Sequence, residues 1–245
     1  MSLWRDYGLK FINDLFGKCA LKAGITRDTL SVSAALKRCR ARGLQVGTII
    51  DVGASDGRWT MVAKKNFPEA FCLLIEAQQE HQKALEKMRL QDNRVEYVIA
   101  AAGDRKGTIY FDADDLFGGL ASNIPVGSHC KSVPMVTIDE EILRLKLPPP
   151  YFLKLDTHGF ELPILEGAQK TLASTSVIVI ETYNFRLTSD SLKFHEMCTF
   201  MESKQFSCID LMSPMHRPGD QAFWQMDLVF VPSNNAVFFS NKYLP

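Results

Sequence analysis

Four short apolar runs of the chain carry a carboxylate at or near their ends. They are Thr48-Ile49-Ile50-Asp51-Val52, Phe71-Cys72-Leu73-Leu74-Ile75-Glu76, Tyr151-Phe152-Leu153-Lys154-Leu155-Asp156 and Val177-Ile178-Val179-Ile180-Glu181. Runs of this length, rich in β-branched and aliphatic residues and bounded by turn residues, read as strands buried on both faces. Acids that recur at strand ends point to a shared polar crevice rather than to scattered solubilising charge. Carboxylates placed there can accept hydrogen bonds from ribose hydroxyls, face a cationic centre or take up a proton. Asp156 is followed by the tight turn Thr157-His158-Gly159. Imidazoles titrate close to neutral pH, so His158 is the expected general base, with Asp156 orienting the acceptor or the ring and Glu181 a further catalytic candidate. Asp156 and Glu181 also offer the hard oxygens that a divalent cation prefers. Without a second Asp-Asn pair beside them, the expected site holds no metal.

The first acid lies in the stretch that organises the rest. Asp51-Val52-Gly53-Ala54-Ser55-Asp56-Gly57 reads as a strand tip, a tight turn and a helix start, with Asp51 facing the bound molecule. Gly53 and Gly57 accept positive φ and let backbone N–H groups approach a ligand. The loop lacks the glycine spacing of a dinucleotide fingerprint and the Gly-Lys-Ser/Thr of a phosphate loop, and Asp56 within it repels phosphate. A ligand with a sulfonium or ammonium centre, an adenine and a free ribose suits these acids better. Glu76, about 20 residues past the glycines, stands where a ribose-binding carboxylate belongs in a βαβ unit. The expected ligand is therefore S-adenosyl-L-methionine, held by Asp51, Gly53, Ala54, Ser55, Gly57, Glu76, Ala77, Ala100, Ala101 and Asp156.

The elements that must position these groups alternate. Strands at 48–52, 71–76, 95–101, 151–156 and 177–181 are separated by helical patterns at 59–66, 78–90 and 160–172, which implies a parallel sheet with right-handed crossovers and a ligand at the strands' carboxyl ends. A helix at 191–204 leads to strands at 206–211 and 223–231, joined by a loop at 213–220 and so antiparallel. His216 and Arg217 of that loop are candidate substrate contacts. An excursion at 107–138, with strands around the polar loop 114–132, is long enough to form part of an acceptor wall. Two helical patterns, 3–23 and 29–42, precede the first strand and read as an N-terminal helical cap over residues 1–45, with a Rossmann-like domain over 46–245. His81, His129 and His195 read as surface residues, and Glu161, in the first turn of its helix, as a structural acid that bonds loop backbone.

Lysine plus arginine equals aspartate plus glutamate, at 28 each. That balance gives no reason to expect a nucleic-acid partner. The basic run Lys37-Arg38-Cys39-Arg40-Ala41-Arg42 reads as a solvated helix face. The six cysteines lack C-x-x-C spacing, and Cys72 and Cys208, in apolar strand patterns, are expected to be core thiols in a reducing compartment. No apolar stretch reaches the roughly 18 to 20 residues of a membrane span and no signal-peptide pattern opens the chain, so a cytoplasmic protein is expected.

The series Ile50 to Gly57, Glu76-Ala77, Ala100-Ala101-Ala102-Gly103-Asp104, Val136-Thr137-Ile138-Asp139, Leu153-Lys154-Leu155-Asp156-Thr157-His158-Gly159-Phe160-Glu161, Leu165-Glu166-Gly167-Ala168 and Ile180-Glu181 resembles the FkbM family of S-adenosylmethionine-dependent methyltransferases. The Leu-Lys-Leu-Asp-x-x-Gly-x-Glu segment is the most specific part. The resemblance implies an α/β, Rossmann-like class I methyltransferase with a mostly parallel seven-stranded sheet ending in an antiparallel hairpin. It also implies O-methylation of a small-molecule hydroxyl acceptor, a sugar or secondary metabolite. The competing readings are a methyltransferase fold kept as a non-catalytic binding module, and a nicotinamide oxidoreductase.

Overall fold

The computed structural model describes residues 29–113, 118–125 and 130–242. The expected helix at 3–23 and His129 lie outside these residues. The elements run α1 (Val32–Ala41), β1 (Thr48–Val52), α2 (Arg58–Asn66), β2 (Phe71–Glu76), α3 (Gln82–Gln91), β3 (Val95–Ile99), β4 (Ala101–Ala102), β5 (Gly107–Asp112), β6 (Leu120–Ser122) and β7 (Cys130–Val136). They continue as α4 (Ile138–Leu145), β8 (Tyr151–Leu155), α5 (Glu161–Glu166), α6 (Gln169–Leu172), β9 (Thr175–Tyr183), α7 (Phe194–Ser203), β10 (Phe206–His216) and β11 (Phe223–Pro232).

Among the described residues, seven strands form the main sheet in the order β10-β11-β9-β8-β1-β2-β3. Strands β1, β2, β3, β8 and β9 are parallel, and β11 runs antiparallel between β9 and β10. β1 and β8 are buried at every position, as central strands covered by helices on both faces must be. One face packs Ile50, Leu153, Ile178 and Phe230 against α5 and α7. The other packs Ile49, Phe152, Val179 and Val229 against α1 and α2. The order of the central strands reverses between β8 and β1, and their carboxyl ends there open the crevice in which such sheets take ligands.

The structure departs from the sequence expectations at several places. The 95–101 strand is split: β3 ends at Ile99, and Ala101–Ala102 pairs instead with β7 in a second sheet, ordered β4-β7-β5-β6. The single helix expected at 160–172 is two short ones. The break falls at Gly167, where a Cβ would lie 1.9 Å from the Gly103 carbonyl oxygen, so the glycine lets the chain after β4 pack directly against this turn. Strand β10 continues to His216, so residues 213–216 are hairpin arm rather than loop. A register break between Met212 and Met215 absorbs the bend. Cys72 is buried, but Cys208 points outward from the edge strand β10 and is exposed.

Helix α1 packs on the sheet face through Ala35, Leu36 and Cys39. Ser31 caps it by accepting from the Ala34 N–H, and two members of its basic run are drawn off the solvated face. Arg38 donates from Nε and Nη2 to Asp210 on β10 at 2.7 and 2.9 Å, and Arg42 Nη1 donates to the same carboxylate at 3.0 Å. Burial pushes the Asp210 carboxyl up, but the two arginines outweigh it and hold it below its usual range. A carboxylate whose folded pKa is depressed stabilises the fold above its unfolded value, near 3.9, and loses that contribution as pH falls through the folded value. Asp210→Asn should therefore cost about 1 kcal/mol at neutral pH. It should also flatten the fall in melting temperature below about pH 4, where the wild type loses this clamp. Calorimetric scans of both proteins across pH check this.

Candidate active site

The polar side chains of the site are placed by strand register. β1 and β8 pair Asp51 with Lys154, β8 and β9 pair Lys154 with Val179, and β9 and β11 pair Glu181 with Asp227 and Tyr183 with Gln225. Side chains alternate between faces, so alternate residues on these strands line one stripe across four strands. Asp156, two residues past Lys154, continues the stripe beyond the end of β8. Asp51, Lys154, Asp156, Glu181 and Asp227 thus meet although up to 176 positions separate them in the chain.

Lys154 ties the stripe together. Its ammonium lies 3.2 Å from Asp51 Oδ1 and 3.0 Å from Asp156 Oδ2, and it donates to the Gly53 carbonyl at 3.4 Å. Burial alone would drive the amine toward neutrality, but Asp156 and Asp51 outweigh it and raise its pKa, so it stays charged. The lysine in turn holds Asp156 below its usual range, against the opposite pull of burial. Asp51 also accepts from Thr60 Oγ1 at 2.6 Å, yet burial dominates and its pKa is raised. Its Oδ1 has the lysine as charge partner without hydrogen-bond geometry. Contrary to expectation, Asp51 does not face the crevice: it is fully buried and absent from the cavity wall.

His158 occupies the turn after β8 with φ at 52°, the left-handed region uncommon for a side-chain-bearing residue. Buried Glu161 holds the turn by accepting from the Gly159 N–H at 2.9 Å and from Thr157 Oγ1 at 3.1 Å, which is the structural role expected of it. The imidazole Nδ1 lies 3.2 Å from the Gly119 carbonyl oxygen, just before β6. A carbonyl can only accept, so that contact requires the proton on Nδ1 and leaves the Nε2 lone pair open. Nε2 lies 3.7 Å from Asp156 Oδ1 and 3.5 Å from Glu181 Oε2. Glu181 accepts hydrogen bonds from Tyr183 Oη and Gln225 Nε2. Burial, then the neighbouring Asp156 charge, raises its pKa so that it favours the protonated form. Asp227 behind it is pushed up to about 6, by burial first and Asp156 second.

A cavity of about 500 Å³ opens beside this cluster. Gly53, Ala54, Ser55, Glu76, Ala77, Ala100, Ala101, Asp156 and His158 line it, which brings most of the expected site residues around one cavity; Glu181 lies behind them, outside the lining. Gly57 does not; at φ 80° it packs where a Cβ would strike Met88. Gly53 has φ 73°, and a Cβ there would lie 2.0 Å from the Asp156 carbonyl oxygen, so the glycine lets the β8 end close on the β1 loop. Glu76 accepts from the Ser55 N–H through Oε2 and from the Gln78 N–H through Oε1, each at 2.7 Å. Burial raises its pKa despite these bonds. Asp56 is paired with Arg58, its carboxyl held low chiefly by that side-chain hydrogen bond.

Other candidates fall differently. Gly119 and Ala121 of the excursion reach the cavity, whereas His216 and Arg217 do not; Arg217 stacks over Phe185 at 4.3 Å from its ring centroid. His195 is exposed, but His81 is buried, with Nε2 3.4 Å from Ser55 Oγ, because the turn before α3 tucks it behind the glycine loop. Lys154, Tyr183 and Gln225 were not among the expected site residues. The signal for Lys154 was its charge inside an otherwise apolar strand.

The strand order, with the antiparallel β11 inserted next to the edge, is that of the class I methyltransferases. The sequence profile of the methyltransferase FkbM domain matches residues 51–208, and the chain belongs to that family. A comparison with curated protein sequences gives no match. Among solved structures, the methyltransferase FkbM from Methylobacillus flagellatus KT is 16% identical, with a TM-score of 0.49 over 75% of this chain and 43% of that one. The chain therefore spans less than half the length of that relative. Magnesium protoporphyrin IX methyltransferase from Synechocystis PCC 6803, solved with bound SAM, is 9% identical with a TM-score of 0.45, over 82% of this chain and 78% of that one.

Removing one partner of a buried ion pair leaves an uncompensated charge, which typically costs about 3 to 5 kcal/mol. Lys154→Met should destabilise the protein by this order in urea unfolding. The double variant with Asp51→Asn should recover part of the loss, because the orphaned charge is then gone.

Proposed function

We propose that the protein transfers a methyl group from S-adenosyl-L-methionine to a hydroxyl oxygen of a small-molecule acceptor, a sugar or secondary metabolite. One observation carries this reading: a single cavity is lined by Glu76, by Gly53, Ala54 and Ser55 of the glycine loop, and by Asp156 and His158. Each Glu76 oxygen already accepts one backbone N–H, and its remaining lone pairs would take the two ribose hydroxyls. Ala77, Ala100 and Ala101 offer an apolar seat for the adenine. Gly53, Ala54 and Ser55 present backbone to the amino-acid portion. Asp51 and Gly57 act at one remove, Asp51 by holding Lys154 against the loop and Gly57 by packing the start of α2.

The acceptor hydroxyl would enter beside Nε2 of His158. Bound S-adenosyl-L-methionine would supply an electrophilic methyl group; as the hydroxyl oxygen takes it and the carbon–sulfur bond breaks to leave a neutral thioether, the hydroxyl proton would pass to Nε2 of His158. Asp156, kept ionised by Lys154, faces the imidazolium that forms. Positioning and one proton acceptor supply what methyl transfer to a neutral hydroxyl requires.

Glu76→Ala should weaken S-adenosylmethionine binding by at least about tenfold, since a charge-assisted hydrogen-bond pair contributes about 1.5 to 3 kcal/mol, while the circular dichroism spectrum stays native. Calorimetry that finds an unchanged dissociation constant refutes the ribose assignment. His158→Gln should lower turnover by about 10² to 10⁴ and leave cofactor affinity as it was. Near-normal turnover in that variant would move the chemistry to Asp156, Glu181 or positioning alone.

A further inference from the structure

We propose that Asp156, His158 and Glu181 form a binding site for one divalent transition-metal cation of the Mn²⁺ type, which engages the acceptor hydroxyl. The inference rests on reading this end of the cavity as the acceptor side. No second Asp-Asn pair accompanies these acids in the sequence, and the third donor is instead an imidazole that register and turn bring to the two carboxylates.

Three observations support the site. The three residues each offer a ligand atom within 4.8 Å of the others, and the imidazole-to-carboxylate spacings are 3.7 and 3.5 Å. Divalent cations bind nitrogen and oxygen donors at about 2.0 to 2.6 Å, so spacings of this order bracket a single ion. Next, the opposite end of each candidate ligand is tied to a group outside the cluster. Asp156 Oδ2 is held by Lys154 at 3.0 Å, Glu181 Oε1 by Gln225, and His158 Nδ1 by the Gly119 carbonyl at 3.2 Å, while Glu181 Oε2, which faces His158, also accepts from Tyr183 Oη and keeps one lone pair for an ion. Metal-ligating histidines commonly donate their second ring N–H to such a carbonyl, which fixes the tautomer and aims the other nitrogen at the ion. Finally, strand register brings Asp51, Asp156, Glu181 and Asp227 together beside Lys154, a concentration of carboxyl oxygens that suits a cation. Mixed imidazole and carboxylate donors suit Mn²⁺, Fe²⁺ or Zn²⁺ better than Ca²⁺.

A cation held by these three residues would acidify a hydroxyl bound to it, so that its proton could leave to water with His158 as a ligand; proton transfer to Nε2 is the route of the metal-free protein. The remainder of the displacement is unchanged, so no electron balance is altered.

The test titrates Mn²⁺ into the metal-free full chain, without S-adenosylmethionine or acceptor, by calorimetry and electron paramagnetic resonance. One saturable site per chain is expected. Its affinity should fall at least about tenfold in His158→Gln and in Glu181→Gln, and the ¹⁴N modulation from a coordinated imidazole should vanish in His158→Gln. Absence of saturable binding overturns the site, as does binding that neither substitution weakens. S-adenosylmethionine binding is measured on the same samples. Mn²⁺ binding without cofactor binding would sink the methyl-transfer reading and leave the metal site standing; cofactor binding without Mn²⁺ would do the reverse.

Discussion

The buried ammonium of Lys154 is the interaction on which the site depends. It sits on a central strand, is almost fully excluded from solvent, and touches the carboxylate of the neighbouring strand, the carboxylate two residues ahead and the carbonyl of the glycine loop. A lone ammonium in that position would be costly, and so would either carboxylate alone. Together they fix the distance between the loop after β1 and the turn after β8. Those are the two places from which the cavity wall and His158 project. A change at any of the three charges is therefore felt in both the loop and the turn.

Around this lock the protein uses backbone contacts to hold side chains in unusual settings. His158 keeps a left-handed conformation because Glu161 holds the turn, and its ring is held by a carbonyl from the excursion that builds the second sheet. The excursion thus has a part in the site through a backbone atom, Gly119 O, rather than through a side chain. Glu181 is set by partners on its own strand and on β11, so the inserted antiparallel strand helps build the site as well as closing the sheet. Residual strain of this kind persists where surrounding contacts over-determine it, and functional sites are where it concentrates.

Much of this was legible in the sequence. The strand-end acids gave the carboxyl edge, the alternation of elements gave the parallel sheet, and the short link before the last strand gave its antiparallel sense. What stayed hidden depended on register. Asp51 looked outward as a strand-tip acid, but its pairing opposite Lys154 turns it into the interior. Tyr183 and Gln225 meet only because β11 lies beside β9, and Gly119 reaches His158 across 39 positions with no local pattern to announce it. Ser213 to His216 carried loop-like residues, yet the ladder with β11 extends over them through a bulge. His81 looked like a helix surface residue because the short turn that buries it leaves no periodicity to read.

We propose that one cavity holds the cofactor's ribose at Glu76 and brings its methyl group to an acceptor hydroxyl placed beside Asp156 and His158. The most direct measurement is a crystal structure of the full chain with S-adenosyl-L-homocysteine. Density is expected in the cavity, with both ribose hydroxyls within hydrogen-bond distance of Glu76 and the sulfur directed toward His158 and Asp156. Ligand bound elsewhere, or in the cavity with its ribose away from Glu76, would contradict it.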